Sequence, residues 1–284
     1  MKTVLITGAT SGIGLEVAKE CVKNGYRVIG IGRSIEKNNT AINLLKETSE
    51  FSEIKYYNAD LLEVEAVKSV AKEIACFIEA ECNGQLYGLI NNAGCVRSWF
   101  QTNSSGYEHQ FALNHLASVM LTHQLLPYLI KGAGRIIMTS SKSHKLMKIH
   151  WKDIMFEKGY RPLMVYKQSK LCNLLFAYVI NDRYISQGIK AYAVDPGLVN
   201  TRIGLKNTKG LVNKVWNIRR KLGVSPSIPA KTYIWILNQK DHPNSLYYFQ
   251  SAPRKHSKEV NKNNSDRLLY LSEKLLNIKF GGKL

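Results

Sequence analysis

Short apolar runs alternate with segments of helical spacing along most of this chain, and that alternation limits the fold more than any other feature. The runs at 3–7, 27–31, 54–58, 87–91, 135–140 and 189–194 read as strands buried on both faces. Between them, 13–24, 63–80, 106–130 and 165–186 carry apolar residues at helical spacing. The order implies βαβ units, hence an α/β fold built on a doubly wound parallel sheet flanked by helices. A late run, Leu246–Phe249, offers an edge strand. At 284 residues and 45% hydrophobic, the chain can bury a full core, so a single domain spanning 1–284 fits better than two small ones. Residues 202–228 break the alternation. They are rich in Lys, Arg, Asn and Gly, with an amphipathic piece at Leu211, Val212, Val215, Trp216 and Leu222, and read as an excursion over the sheet.

Composition excludes several classes. No apolar stretch approaches the roughly 20 residues of a membrane helix, so no transmembrane segment is expected. Thr3–Ile6 is already strand-like, which leaves no room for a signal peptide. Five cysteines, odd in number and without a C-x-x-C pair, read as reduced thiols of a cytoplasmic protein. One of them, Cys95, is either a small buried residue or a neighbour of a ligand. No His pair has zinc-type spacing, so no metal is expected. The net charge of +19 attracts anions. Its lysines are spread along the chain and no nucleic-acid module is visible, so no nucleic-acid partner is expected.

The first apolar run leads into Thr7-Gly8-Ala9-Thr10-Ser11-Gly12-Ile13-Gly14. Glycines here permit a tight turn and close approach of backbone to a pyrophosphate, and the following helix N-terminus supplies N–H donors. Gly8, Thr10, Ser11, Gly12, Ile13 and Gly14 are therefore candidate cofactor contacts. The second run ends at Gly32-Arg33, where an NAD site usually places an acid. Arg33 suits a 2′-phosphate through charge-assisted hydrogen bonds, which favours NADP(H) over NAD(H). Glu36, the nearest acid, is the argument for NAD.

Tyr166 and Lys170 stand four apart in a helical segment and share a face. A nearby ammonium favours the phenolate and draws the phenol toward the range of a general acid/base. Ser140-Ser141 offers a hydroxyl for a substrate oxygen; strand alternation favours Ser141, with Ser140 as the alternative. Asn114 lies among apolar neighbours in a helical segment, where Asn has poor propensity, so it is either functional or a surface polar residue. Asp195, before Pro196-Gly197, reads as a turn cap rather than a catalytic acid. His115 and His123 read as packing or surface residues. Trp99, Phe100, Trp151 and Tyr160 are candidates for a substrate cavity.

The order T-G-x-x-x-G-x-G (7–14), N-A-D (58–60), N-N-A-G (91–94), Asn114, Ser141, Y-x-x-x-K (166–170) and P-G-x-x-x-T (196–201) closely resembles the short-chain dehydrogenase/reductase family, from Thr3 to about Leu276. The long insert between Ser141 and Tyr166 resembles its retinol dehydrogenase and WW-domain oxidoreductase branch. The resemblance implies a Rossmann fold and alcohol–carbonyl interconversion. It implies Tyr166 as acid/base, Lys170 beside it on the nicotinamide ribose, Ser141 on the substrate oxygen and Asn114 on a water linking Lys170 to solvent. Asp60 and Leu61 would flank the adenine, Asn92 the adenosine ribose, and Val199 and Thr201 the carboxamide. It also implies a lid at 202–228 and pairing through the helices of Asn114 and Tyr166 into a homodimer or homotetramer. The apolar and cationic lid residues suit a bulky hydrophobic alcohol or ketone of steroid, retinoid or polyketide type, with or without an anionic group. The alternative is a catalytically silent NADP(H)-binding regulator on the same fold, or, for the lid, a basic amphipathic helix that touches membrane.

Overall fold

A computed structural model describes residues 1–49, 53–201 and 208–281. Strands β1 (Thr3–Thr7), β2 (Arg27–Gly32), β3 (Ile54–Asn58), β4 (Gly88–Asn91), β5 (Arg135–Thr139), β6 (Lys190–Val194), β7 (Tyr247–Phe249) and β8 (Ala252–Pro253) form one sheet. Its order is β3-β2-β1-β4-β5-β6-β7-β8, parallel from β3 to β7, with β8 antiparallel to β7. The chain winds outward from β1 to β3, then returns to the other side of β1 with β4. That reversal opens a crevice beyond the carboxyl ends of β1 and β4, where such sheets bind ligands.

Helices cover both faces. On one lie α1 (Gly12–Lys23), α2 (Ile35–Lys46) and, further along, α8 (Ser227–Asn238). On the other lie α3 (Val64–Glu81), α5 (Ala117–Lys131), α6 (Pro162–Tyr184) and α9 (Lys262–Leu276). Strand residues alternate between the two cores: Val4 and Ile6 join the α1/α8 side, Leu5 the α3/α5/α6 side, and Tyr192 and Ala193 divide in the same way. Both faces being buried, the strands are apolar throughout, which is why they lack a period of two.

The six strands expected up to residue 194 all form. Tyr247–Phe249 is not the edge: the chain reverses through Gln250 and Ser251, both with positive φ, and two-residue β8 takes the outer position. Helices α2, α8 and α9 have no counterpart among the helical segments predicted. The predicted 106–130 segment begins as α4 (His109–Phe111), passes through a π-turn (Ala112–Leu116) and continues as α5. Within the 202–228 excursion lies α7 (Gly210–Lys221); Lys206 lies outside the described residues. Among the described residues, no helix is long and apolar enough to cross a membrane. The five cysteines are free thiols, all buried except Cys76.

Candidate active site

A cleft of about 720 Å³ lies over the β1–β4 crevice. Its floor is made by backbone. Gly8 and Gly12 have φ of 67° and 58°, the left-handed region that glycine adopts without strain. A Cβ on Gly14 would lie 2.3 Å from the Gly8 carbonyl oxygen and 2.6 Å from Asn92 Nδ2, so the turn and helix close on each other only because position 14 has no side chain. Ser11, the N-cap of α1, makes no side-chain cap hydrogen bond, which leaves the first amides of that helix for a ligand. Asn92 locks the floor: its amide donates to Thr7 O at 3.0 Å, while the Thr7 hydroxyl accepts from the N–H groups of Asn92 and Ala93 at 2.9 Å.

At the β2 end, a Cβ on Gly32 would meet Asn38 Oδ1 at 2.1 Å and Thr10 Cγ2 at 2.5 Å. A side chain at 32 would have to displace both Asn38 and Thr10. Arg33 and Lys37 line the cleft there. Glu36 does not; it sits in the first turn of α2, where Ser34 caps the helix and the dipole favours a carboxylate. Asp60 and Leu61 form the opposite wall of this end, and the Asp60 carboxylate accepts from Leu62 N–H at 3.1 Å.

Of the proposed cofactor contacts, Gly8, Thr10, Ser11, Gly12, Ile13, Arg33, Asp60, Leu61, Asn92 and Thr201 line the cleft. Gly14, Tyr166, Lys170 and Val199 do not. Gly14 acts beneath the turn, while Val199 is held in a bridge to Val224 and so presents Asn200 and Thr201. Lys37, Asn200 and Arg97 line the cleft without having been predicted, and Arg220, expected as a cationic lid residue, lines it too.

Beyond the cleft floor lies the polar cluster. Lys170 is 3% exposed; its ammonium donates to Thr139 O at 3.1 Å and stands 5.5 Å from the Tyr166 ring centre. Burial draws its pKa down to about 8, with a small opposing contribution from Cys95. The two serines separate. Ser140 spends its hydroxyl on Lys170 O at 2.9 Å and is 1% exposed, whereas Ser141 caps a short 3₁₀ turn and keeps more exposure, at 8%. Asn114 is buried in the π-turn, a distortion often found at functional sites. Its amide donates to Cys95 O at 3.1 Å and Ser169 Oγ at 2.9 Å, and its oxygen accepts from Cys95 N–H at 2.7 Å. Asn114 therefore ties the β4 loop to α6, next to Lys170.

The α7 helix covers this cluster. Trp216 meets the Tyr166 ring edge-on at 5.3 Å, and the Ser98 hydroxyl holds the backbone of Lys209, accepting from its N–H at 2.9 Å and donating to its carbonyl at 3.2 Å. Ile218 points away, largely exposed. None of Trp99, Phe100, Trp151 and Tyr160 lines the cleft; Tyr160 instead donates to the buried carboxylate of Glu108, and Arg267 lies over Trp151. His115 is fully buried with its pKa pushed down to about 3 by desolvation, a packing residue. Asp195 accepts from Gly197 N–H at 2.9 Å and from the Tyr247 hydroxyl at 2.9 Å, as a turn cap does.

A glycine-floored crevice with a Tyr–Lys pair behind its Gly94 wall defines a dinucleotide-dependent oxidoreductase of Rossmann architecture. The chain belongs to the short chain dehydrogenase family, whose model matches residues 2–211. It is 32% identical to retinol dehydrogenase 12 of Mus musculus over 283 residues, covering 98% of this chain and 87% of that protein. Its fold matches an uncharacterized protein from Mycobacterium Paratuberculosis with a TM-score of 0.77 at 25% identity, over 99% of this chain and 95% of the other. It also matches a short-chain dehydrogenase from Sphingobium yanoikuyae, solved in complex with NADPH, with a TM-score of 0.66 at 20% identity, over 88% of this chain and 87% of the other. The protein is accordingly an alcohol–carbonyl oxidoreductase that uses NAD(P).

Proposed function

We propose that the protein interconverts a bulky hydrophobic alcohol, of retinoid, steroid or polyketide type, and its carbonyl with NADP(H), Tyr166 exchanging the proton. The carrying observation is the buried ammonium of Lys170, 5.5 Å from the Tyr166 ring. A desolvated cation beside a phenol stabilises the phenolate, so Tyr166 can pass its proton to a carbonyl oxygen or take one from an alcohol. Hydride exchange is the chemistry the dinucleotide supplies when bound. Ser141 would orient the substrate oxygen and stabilise charge that develops on it. Asn114, through Cys95 and Ser169, holds the β4 loop and α6 in register, which fixes Tyr166 and Lys170 relative to that loop.

The preference for NADP(H) is supported by Arg33 and Lys37 on the cleft wall and by the lack of room for an acid at Gly32. The hydrophobic substrate is supported by the lid, where the Trp216 ring meets that of Tyr166, and by the retinol dehydrogenase relatives. The test follows NADPH absorbance with retinoid, steroid and aromatic carbonyls for wild type and Tyr166→Phe. Turnover on at least one carbonyl, falling by about 10²-fold or more in the variant with unchanged NADPH affinity, is the expected result. NADPH binding without turnover across the panel would replace the enzyme with the silent regulator.

A further inference from the structure

Arg97 is a cation with no assigned work. It follows Asn-Asn-Ala-Gly-Cys-Val, is 5% exposed, and lines the cleft. Desolvating a guanidinium costs several kcal/mol unless its charge and donors are matched. Here they are matched poorly. Nε donates to His109 Nδ1 at 3.2 Å and Nη1 to Val96 O at 3.2 Å. Arg97 makes no other hydrogen bond and no ion pair among the described residues, so three of the five guanidinium donors are unused.

The nearest acid does not claim them. The fully buried Glu108 carboxylate accepts from Phe111 N–H and from the Tyr160 hydroxyl, both at 2.8 Å. It acts on Arg97 through space only. None of the Arg97 nitrogens is among the sealed, partnerless polar atoms of the interior, so its free edge opens on the cleft. The Cys95 thiol senses Arg97, Lys170 and Arg33, while the His109 ring senses Arg97 and Asp60. Arg97 thus shares the cleft wall with Cys95, Arg33 and Asp60.

We propose that Arg97 is an oxyanion receptor inside the cleft, its planar fork taking a phosphate of the dinucleotide or an anionic group on the substrate. The proposal rests on the dinucleotide reading of the cleft. It makes Arg97 a binding and specificity residue, separate from Arg33.

The test compares wild type, Arg97→Met and Arg97→Lys. NADPH and NADH affinities come from fluorescence titration, KM values from a neutral aromatic ketone and its carboxylate-bearing analogue, and melting temperatures from samples with and without inorganic pyrophosphate. If the anion belongs to the dinucleotide, Arg97→Met weakens NADPH about tenfold or more and Arg97→Lys recovers part of it. Equal weakening of NADH then points to the pyrophosphate, and retained NADH affinity to the 2′-phosphate. If the anion belongs to the substrate, NADPH affinity holds and KM rises for the carboxylate ketone alone. Affinities and KM values that all match wild type overturn the proposal, whether or not the melting temperature falls, and leave Arg97 as the counter-charge of Glu108. Should wild type bind neither dinucleotide, the functional reading fails by itself. Arg97 is then judged on pyrophosphate: stabilisation lost in Arg97→Met supports the receptor, and no stabilisation of wild type overturns it. Arg97→Lys carries the comparison if the Met variant does not fold.

Discussion

The Lys170 ammonium and the Thr139 carbonyl oxygen lie 3.1 Å apart, and that hydrogen bond holds a cation in the interior at the end of β5. Burial lowers the Lys170 pKa from 10.5 to about 8. At about 1.4 kcal/mol per pKa unit, keeping the charge there costs on the order of 3 kcal/mol of stability. The sign follows from proton counts. Below pH 8 both folded and unfolded chains hold the proton and the cost is constant. Between about 8 and 10.5 only the unfolded chain holds it, so this contribution makes stability rise with pH. Lys170→Met should therefore stabilise the protein at pH 7 by up to about 3 kcal/mol, an advantage that shrinks through that window, while turnover is lost. Urea denaturation at pH 7 and pH 10 measures it; a Met variant less stable at pH 7 would show that the Thr139 bond outweighs desolvation.

The serine pair yields a second prediction. Ser140 donates to Lys170 O from a buried site, whereas Ser141 keeps its side chain nearer the surface of the cluster. Ser140→Ala should cost about 1 kcal/mol of stability, the net worth of one hydrogen bond, and leave kcat nearly intact. Ser141→Ala should also cost about 1 kcal/mol, as the cap on Ser143 N–H is lost, but lower kcat by about 10²-fold, as loss of an oxyanion donor does. Thermal melts and steady-state rates for both variants check the pair; a reversed pattern would exchange the two roles.

The features that were legible in the sequence are those whose cause is local. Alternating apolar runs gave the parallel sheet, and Gly8, Gly12 and Gly14 marked the turn because the backbone there tolerates no side chain or needs positive φ. Tyr166 and Lys170 were legible because one helix sets their spacing. The features that escaped depend on tertiary contact. The Asn/Lys-rich α2 shows only a thin apolar stripe, α9 opens on a polar Lys-Asn-Asn-Ser-Asp-Arg run before its leucines, and α8 carries Pro229 in its first turn. β8 is two residues long. Arg97 had no periodic signal; the one available cue was a charged residue within an apolar loop just after Asn-Asn-Ala-Gly. Strand alternation already favours Ser141 over Ser140; what the sequence does not show is that Ser140 spends its hydroxyl on the Lys170 carbonyl, thirty residues away in the chain.

Cofactor preference gives a third prediction. Arg33 lines the cleft beside Gly32, where even a methyl group would collide with Asn38 and Thr10. Arg33→Ala should weaken NADPH about 10- to 100-fold while NADH changes little, because only the 2′-phosphate loses a charge-assisted bond. Gly32→Asp, the substitution that would imitate an NAD site, should instead destabilise the β2–α2 junction without gaining NADH affinity. Fluorescence titration of both cofactors against both variants decides it. Equal weakening of NADPH and NADH by Arg33→Ala would remove the 2′-phosphate assignment.

The last prediction concerns the C-terminal segment. Phe280 is buried against Phe176 of α6 and His123 of α5, with ring centres 6.0 and 5.1 Å away. Around it, the Tyr184 hydroxyl donates to Gly281 O at 3.0 Å, and His123 Nε2 lies 3.1 Å from Lys279 O. With α9 packed on α6, the chain's own tail occupies part of the helix pair through which pairing was expected. Any dimer built on α5 and α6 therefore competes with Phe280 for these rings. Phe280→Ala should cost about 3 kcal/mol, the usual range for emptying a buried aromatic site. It should also raise self-association, as Phe176 and Tyr184 lose their cover. Melting temperature and sedimentation as a function of protein concentration measure the two effects. A variant that melts early but sediments like wild type would place any subunit contact on another face.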